Sequence, residues 1–156
     1  MRPLALLTLG LFAGGLMAAP VPKERPKDED AILGTWKLEK VESGDPGFKA
    51  PPARVLAKVR IVFKKDGKGT EVFSDGSEKD VTYTLDASAK PKALDITRGE
   101  QTTLGAYDLD GDTLRLCVGS FTPKTRPAEV NSEGKGVTVM TLKRVTDEQK
   151  EEKKDK

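Results

Sequence analysis

The sequence predicts an all-β fold, a single antiparallel up-and-down β-barrel of about eight strands. Two patterns between residues 31 and 145 predict it: short runs in which apolar and polar residues alternate, and Gly, Asp, Ser and Pro clusters that separate these runs. Alternation gives a strand one face for a core and one for water, as in antiparallel sheets. A barrel is favoured over a sandwich because closure leaves no unprotected strand edge.

The alternating runs are expected to form the strands in chain order. They lie at residues 36–39, 58–64, 70–73, 81–86, 94–97, 107–109, 113–118 and 137–144. Asp-Gly pairs at 66–67, 75–76 and 110–111 supply the positive φ angles that tight hairpin turns require. Pro91 has no backbone N–H and should mark the start of a strand. A short helical turn is expected after Asp28, and no stretch after Pro20 sustains a longer apolar repeat of helical period.

The two ends of the chain are predicted to lie outside the barrel. Residues 1–19 have the order of a signal peptide, with Arg2, an apolar run and the small residues Ala18 and Ala19. The apolar run is shorter than the about 20 residues of a membrane span, so no stable span is expected after signal removal. Residues 20–30 read as a Pro-rich charged leader, 31–145 as the barrel, and 146–156 as a charged, disordered tail. The predicted location is secreted, periplasmic or in the cell envelope.

Composition excludes several kinds of chemistry. The chain has 27 Lys and Arg against 25 Asp and Glu, no His and one Cys. Without His there is no Ser-His or Cys-His nucleophile pair, and one Cys forms no internal disulfide. We therefore expect no enzyme, no cofactor, no metal site and no nucleic-acid partner.

Three local patterns have a functional and a structural interpretation. The acidic run 108–112 suggests calcium, but its Gly does not have the spacing of an EF-hand loop, and a hairpin turn explains it. Cys117 is interpreted as a packing residue, with pairing between molecules as the alternative. A basic cluster is interpreted as the solvent face and turn of one hairpin, with polyanion contact as the alternative, weakened by the lack of interleaved aromatic residues; it comprises Lys58, Arg60, Lys64, Lys65 and Lys68.

The start of the first strand resembles a known signature. Gly34-Thr35-Trp36 is similar to the Gly-x-Trp motif that opens lipocalin-type barrels. The resemblance implies a lipocalin-like barrel in which Trp36 plugs the base and a basic residue of the last strand covers its ring. Lys143 and Arg144 are the candidates for that partner, and Arg144 is preferred. A guanidinium can stack on an indole face, and Gly34 would allow a tight turn into the strand.

A wider resemblance covers most of residues 31–144. The segments that carry it, in order, are 32–36, 83–86, 90–97, 105–117 and 126–129. Together they resemble a repeat-expanded planctomycete family of secreted, lipocalin-like proteins of uncharacterised function. The resemblance implies the fold and export but brings no catalytic or binding residues. Val130 stands where members of the family tend to have Phe.

Two functional hypotheses follow. In the first, the barrel is hollow, non-enzymatic and binds a small apolar ligand through its open mouth. The predicted lining residues are Leu38, Ile61, Phe63, Tyr83, Leu85, Ile96, Leu116 and Val139. In the second, the barrel is solid and acts as a structural or protein-interaction module of the cell envelope.

Overall fold

A computed structural model of the chain describes residues 27–119 and 125–146. The predicted signal peptide, residues 20–26 of the predicted leader and residues 147–156 of the predicted tail lie outside the described residues. The described part contains two one-turn helices and nine strands. They are α1 (Asp28–Ala31), β1 (Gly34–Ser43), α2 (Ala53–Leu56), β2 (Arg60–Phe63), β3 (Lys68–Val72), β4 (Glu78–Asp86), β5 (Ala93–Arg98), β6 (Gln101–Thr103), β7 (Gly105–Asp110), β8 (Thr113–Val118) and β9 (Thr138–Arg144).

The strands form a closed antiparallel barrel, as predicted. Their order is β4-β3-β2-β1-β9-β8-β7-β5, and β4 pairs with β5 to close the ring of eight. β6 and β7 follow one another along the same edge of β5, so β6 adds no further position to the ring. β1 and β9, the first and last strands, pair from Trp36 opposite Arg144 to Ser43 opposite Thr138. The sheet therefore has the up-and-down connectivity that the sequence predicts.

Two turns show how far local chemistry determines the hairpins. Asp66 and Gly67 have φ angles of 60° and 67°, the positive values predicted for this pair. The turn predicted at Asp110-Gly111 is displaced by one residue: Asp110 pairs with Thr113, so the two-residue loop consists of Gly111 and Asp112. Gly111 still provides the positive φ, 56°, that the loop requires. Strand pairing, rather than the dipeptide alone, fixes the position of this turn.

The N-terminal boundary of the folded unit differs from the predicted one. Residues 28–30 were assigned to the leader, but they begin α1, which packs against the barrel. The Asp28 carboxylate accepts hydrogen bonds from the Tyr107 hydroxyl at 2.7 Å and the Lys92 ammonium at 2.8 Å. The helical turn itself was expected from the sequence. Both described helices are single turns, and neither has the length or apolar character of a transmembrane helix.

One segment of the chain lies across the outside of the barrel, and we call residues 125–137 the strap. It covers a small apolar cluster of Ala106, Cys117 and Val139, against which the strap residues Val130 and Val137 pack. The three residues of this cluster face away from the main core, because the residues next to them along their strands, Tyr107, Leu116 and Met140, point inward.

An ion pair fastens the strap to β5. The guanidinium of Arg126 donates to both carboxylate oxygens of Asp95, at 2.6 and 2.9 Å, and to the carbonyl of Gly105 at 2.6 Å. Such bidentate contacts fix orientation as well as distance. Arg126 therefore holds one end of the strap in place over Cys117.

We expect Arg126→Ala to loosen the strap without unfolding the barrel. Loss of the charged hydrogen bonds should lower the free energy of local opening by about 1–2 kcal/mol and speed thiol labelling of Cys117 about tenfold. Labelling with a thiol reagent under native conditions measures this rate. Lys135→Ala, an exposed change in the same strap, is the control. Equal labelling of Arg126→Ala and wild type would contradict this role of the ion pair.

Candidate functional site

The base of the barrel is closed around Trp36. Its side chain is completely buried, and its indole Nε1 donates to the carbonyl of Ile32 at 2.7 Å. The guanidinium carbon of Arg144 lies 4.3 Å from the centre of the indole ring. The structure thus brings together the two residues that the lipocalin-type motif suggested, on strands that are neighbours only because the barrel closes.

Arg144 also ties the chain leading into β1 to the β7–β8 loop. Its Nη1 donates to the carbonyl of Leu33 at 2.6 Å, its Nη2 to the carbonyl of Ala31, and its Nε to the Asp112 carboxylate at 3.0 Å. Gly34 has a φ of 119°, and a Cβ at this position would lie 3.1 Å from Arg144 Nη1. Gly34 is thus required for the close approach of the guanidinium.

Lys143, the other candidate for this role, points outward. Its ammonium donates to the Thr113 hydroxyl at 2.5 Å on the surface of the barrel. Alternation along β9 explains the difference, because adjacent residues of a strand face opposite sides of the sheet.

A polar network joins α1 to the base. Asp28 accepts from Lys92 and Tyr107, and the Lys92 ammonium lies 5.8 Å from the centre of the Tyr107 ring. Partial burial opposes ionisation of Asp28, but the hydrogen bonds from these two residues outweigh it and hold the pKa of Asp28 below its usual value. Burial raises the pKa of Tyr107, and its bond to the Asp28 carboxylate raises it further. Both shifts favour a carboxylate paired with a neutral phenol.

The residues predicted to line the barrel have three different placements. Those that join the central core are Leu38, Ile61, Phe63, Ile96 and Leu116, with exposures between 0% and 8%. Tyr83 and Leu85 are partly buried at the margin of this core. The Tyr83 ring packs edge-on against Phe63, and its hydroxyl donates to the Lys64 carbonyl.

The prediction for Val139 is wrong. Val139 does not line the interior; it lies in the outer cluster beneath the strap. The adjacent residues Val139 and Met140 are both apolar, so alternation does not show which face is inward; in the structure Met140 and Leu142 point inward.

The opposite end of the barrel is also occupied. Leu56 of α2 is 6% exposed and joins the central core. Beside it, Glu71 is buried and paired with Arg98, whose Nε donates to Glu71 at 2.5 Å and whose Nη1 donates to Thr103 at 3.0 Å. Glu71 lies opposite the core residue Ile61, which places it on the inner face of β3. The sequence analysis did not predict this ion pair. The pattern that could have indicated it is that Glu71 lies two residues before Phe73, so alternation places this acid on the same face as an apolar residue.

The core therefore fills the barrel from base to mouth. An empty calyx would leave its lining accessible to water, but several large inward side chains are less than 2% exposed: Trp36, Leu94, Tyr107, Leu114 and Leu116. At the base, a cleft of about 570 Å³ lies outside this core, between α1 and the β7–β8 loop. Its two cations, Lys92 and Arg144, are already paired with Asp28 and Asp112. The cleft is thus open and mixed in charge, unlike an apolar ligand cavity.

The single thiol lies in a protected position. Cys117 is fully buried beneath the strap, and its Sγ lies 3.4 Å from the carbonyl of Asn131, to which it donates. Burial raises its pKa, against a smaller opposing effect of the Asn131 contact and the charge of Arg115. A thiol with a raised pKa is a poor nucleophile at neutral pH. Pairing between molecules would require the strap to move.

The acidic run that suggested calcium forms a hairpin. Asp108 and Asp110 lie on β7, and Asp112 lies in the loop and contacts Arg144. Within residues 27–119 and 125–146, no group of three or more Cys, Asp or Glu residues is arranged to hold a metal ion.

In comparisons with known proteins, the chain matches no protein family, no curated protein and no solved structure. The interpretation of the site therefore depends on its own geometry.

We expect Trp36→Ala to destabilise the barrel by about 3–5 kcal/mol, because it leaves a large cavity at the base and removes the surface on which Arg144 stacks. Urea unfolding followed by circular dichroism measures the loss. Phe48→Ala is the control: Phe48 is 39% exposed, and its loss should change stability by no more than about 0.5 kcal/mol. An unchanged unfolding midpoint in Trp36→Ala would reject the role of the indole as the plug.

We expect the Asp28 network to make stability sensitive to acid. Because the folded-state pKa of Asp28 is below the unfolded value, its contribution is present above about pH 4 and is lost as pH falls through the folded pKa. Asp28→Asn should be about 1–3 kcal/mol less stable than wild type at neutral pH, and this difference should shrink below about pH 4. Urea unfolding at a series of pH values measures it.

Asp30→Asn, an exposed change on the same helix, is the matched control and should differ little from wild type at any pH. A constant difference between Asp28→Asn and wild type across the acid range would show that ionised Asp28 does not stabilise the fold.

Proposed function

We propose that this chain is an exported, non-enzymatic, lipocalin-like barrel with a filled interior that acts as a structural or protein-interaction module of the cell envelope. The resemblance to planctomycete secreted proteins supports the lipocalin-like assignment, and the signal-like pattern of residues 1–19 supports export. The proposal chooses the second of the two hypotheses drawn from the sequence.

The observation that carries the choice is the continuous core. Inward side chains from seven of the eight strands of the ring pack into one cluster, from Ile32 and Trp36 at the base to Leu56 at the mouth. Closely packed interiors leave few voids larger than a water molecule. An eight-stranded barrel is just wide enough for side chains to fill it, and here they do.

Binding inside the barrel would require rearrangement at the mouth. A ligand entering from this end would have to displace Leu56 and pass the Glu71–Arg98 pair. Separating this pair would leave the carboxylate of Glu71, whose side chain is 8% exposed, without its partner, which is unfavourable. An apolar ligand would have to overcome this cost in addition to opening the core.

The non-enzymatic part of the proposal rests on the side chains that could act as nucleophiles, acids or bases. There is no His in the chain, and the one Cys is buried with a raised pKa. Lys92 and Arg144 beside the basal cleft are engaged in ion pairs that stabilise the fold.

We expect the purified protein to carry no small molecule. Native mass spectrometry should give the mass of the polypeptide alone, and a panel of fatty acids and other apolar compounds should leave the melting temperature unchanged. A reproducible adduct, or a rise in melting temperature with one compound class, would contradict the filled interior.

Leu116→Ala provides the positive control for this test. Leu116 is fully buried in the core, so the change should destabilise the barrel by about 2–5 kcal/mol and leave an apolar cavity. Small apolar compounds such as benzene should stabilise this variant but not wild type.

A further inference from the structure

The outer surface of the barrel carries a row of basic residues that form no ion pair within the described residues. Lys37 on β1 lies opposite Lys143 of β9 on one side and opposite Arg60 of β2 on the other. All three alternate with core residues and therefore face outward. We call Lys143, Lys37 and Arg60 the basic row.

The row is not the cluster that the sequence suggested. That cluster placed Arg60 with Lys64 and Lys68 of the same hairpin, but Lys64 donates to the Thr70 hydroxyl farther along the outer face. Instead, pairing of β1 with β2 places Arg60 beside Lys37, and closure of the barrel places Lys143 on the other side of Lys37. The three cations thus lie on three consecutive strands of the ring, although Lys143 is more than 80 residues from the other two in sequence.

The folded protein does not compensate this charge. Directly opposed residues of antiparallel strands have Cα atoms roughly 4.5–5.5 Å apart, and like charges there are destabilising. Within the described residues none of the three cations forms an ion pair. The buried Nε of Arg60 has no hydrogen-bond partner there. In register, the next acid beyond Arg60 is Glu78, two strands away.

The neighbouring outward row shows the contrast. Arg115 of β8 lies opposite Asp108 of β7, and Lys40 of β1 is paired with Glu42 at 2.8 Å. Each cation of this second row therefore has an acid beside it, either across the strands or along its own strand. A row of cations without acids, beside a row in which acids accompany the cations, is expected where an external anion supplies the negative charge.

We propose that the basic row binds a linear acidic polysaccharide. The cations form a line across three strands, and a polymer with an acidic group on successive sugars presents anions in a matching line. Thr35, Thr113 and Thr141 lie on the same outer face beside the row and offer hydroxyls to a hydroxyl-rich polymer. This proposal rests on the proposed function and extends it, because it gives the chemical class of the partner that the envelope module would bind.

The residues beside the row favour this partner over other polyanions. Single-stranded nucleic acid is usually bound with aromatic side chains on which bases stack, and none flanks the row at these positions. Stable attachment to an anionic membrane generally adds inserted apolar groups to basic ones. The flanking positions carry threonines and two partly buried valines, Val62 and Val72, rather than large exposed apolar side chains.

The test compares two triple variants with the same change in net charge. Lys37→Gln/Arg60→Gln/Lys143→Gln removes the row. Lys49→Gln/Lys90→Gln/Lys135→Gln removes three exposed lysines elsewhere. Calorimetric titration with polygalacturonate at low ionic strength measures affinity, and neutral dextran serves as the uncharged polymer.

We expect wild type to bind polygalacturonate but not dextran, with an affinity that falls as salt is added. The row variant should bind about tenfold more weakly or not at all, and the control variant should stay within about twofold of wild type. The melting temperature of the row variant should not fall, because the change relieves repulsion between like charges.

Three results would overturn the proposal. They are no binding of polygalacturonate by wild type, equal weakening in the two triple variants, and tighter binding of single-stranded DNA or anionic phospholipid vesicles than of polygalacturonate. None of them bears on the interior of the barrel. Failure of the filled-barrel proposal would appear separately, as a bound small molecule in native mass spectrometry.

Discussion

The contact between Trp36 and Arg144 is the interaction on which the rest of the structure depends. A sheet becomes a barrel only if its first and last strands meet, and in this chain those strands carry the indole and the guanidinium that stack at the base. The same guanidinium binds the carbonyl of Leu33 and the carboxylate of Asp112. Cation–π contacts contribute more where water is excluded, and Trp36 is fully buried. This residue pair thus reinforces the closure of the ring, seals its base and anchors the polypeptide that enters it.

Closure also determines where function can be located. Once the ring of eight strands is sealed, its interior has room for side chains, and two one-turn helices complete it by placing Ile32 at the base and Leu56 at the mouth. The space that a carrier would use is therefore occupied by the core itself. The outer face remains available, and closure places the basic row there by joining residues from both ends of the chain. Stability and the proposed interaction surface therefore have the same origin.

The sequence predicted the features that depend on local pattern and missed those that depend on the ring. Alternation predicted eight strand runs and the antiparallel barrel, and a three-residue motif suggested the pairing of Trp36 with Arg144. Gln101–Thr103 has no alternating apolar residues, so β6 was not predicted. The interior position predicted for Val139 is wrong because Val139 and Met140 are adjacent and both apolar, and the strap that buries Val139 is an irregular segment without periodicity. The basic row could not be found in the same way, since register between β9, β1 and β2 is a property of the closed barrel.

The most direct test of this account is a double-mutant cycle between Trp36 and Arg144. Trp36→Leu, Arg144→Leu and the double variant would be compared with wild type by urea unfolding at neutral pH. If the indole and guanidinium join the first strand to the last, the two changes should be coupled by about 1–2 kcal/mol, so that the double variant loses less than the sum of the single losses. Strictly additive losses would contradict the account, because they would mean that the two side chains stabilise the barrel independently of their contact.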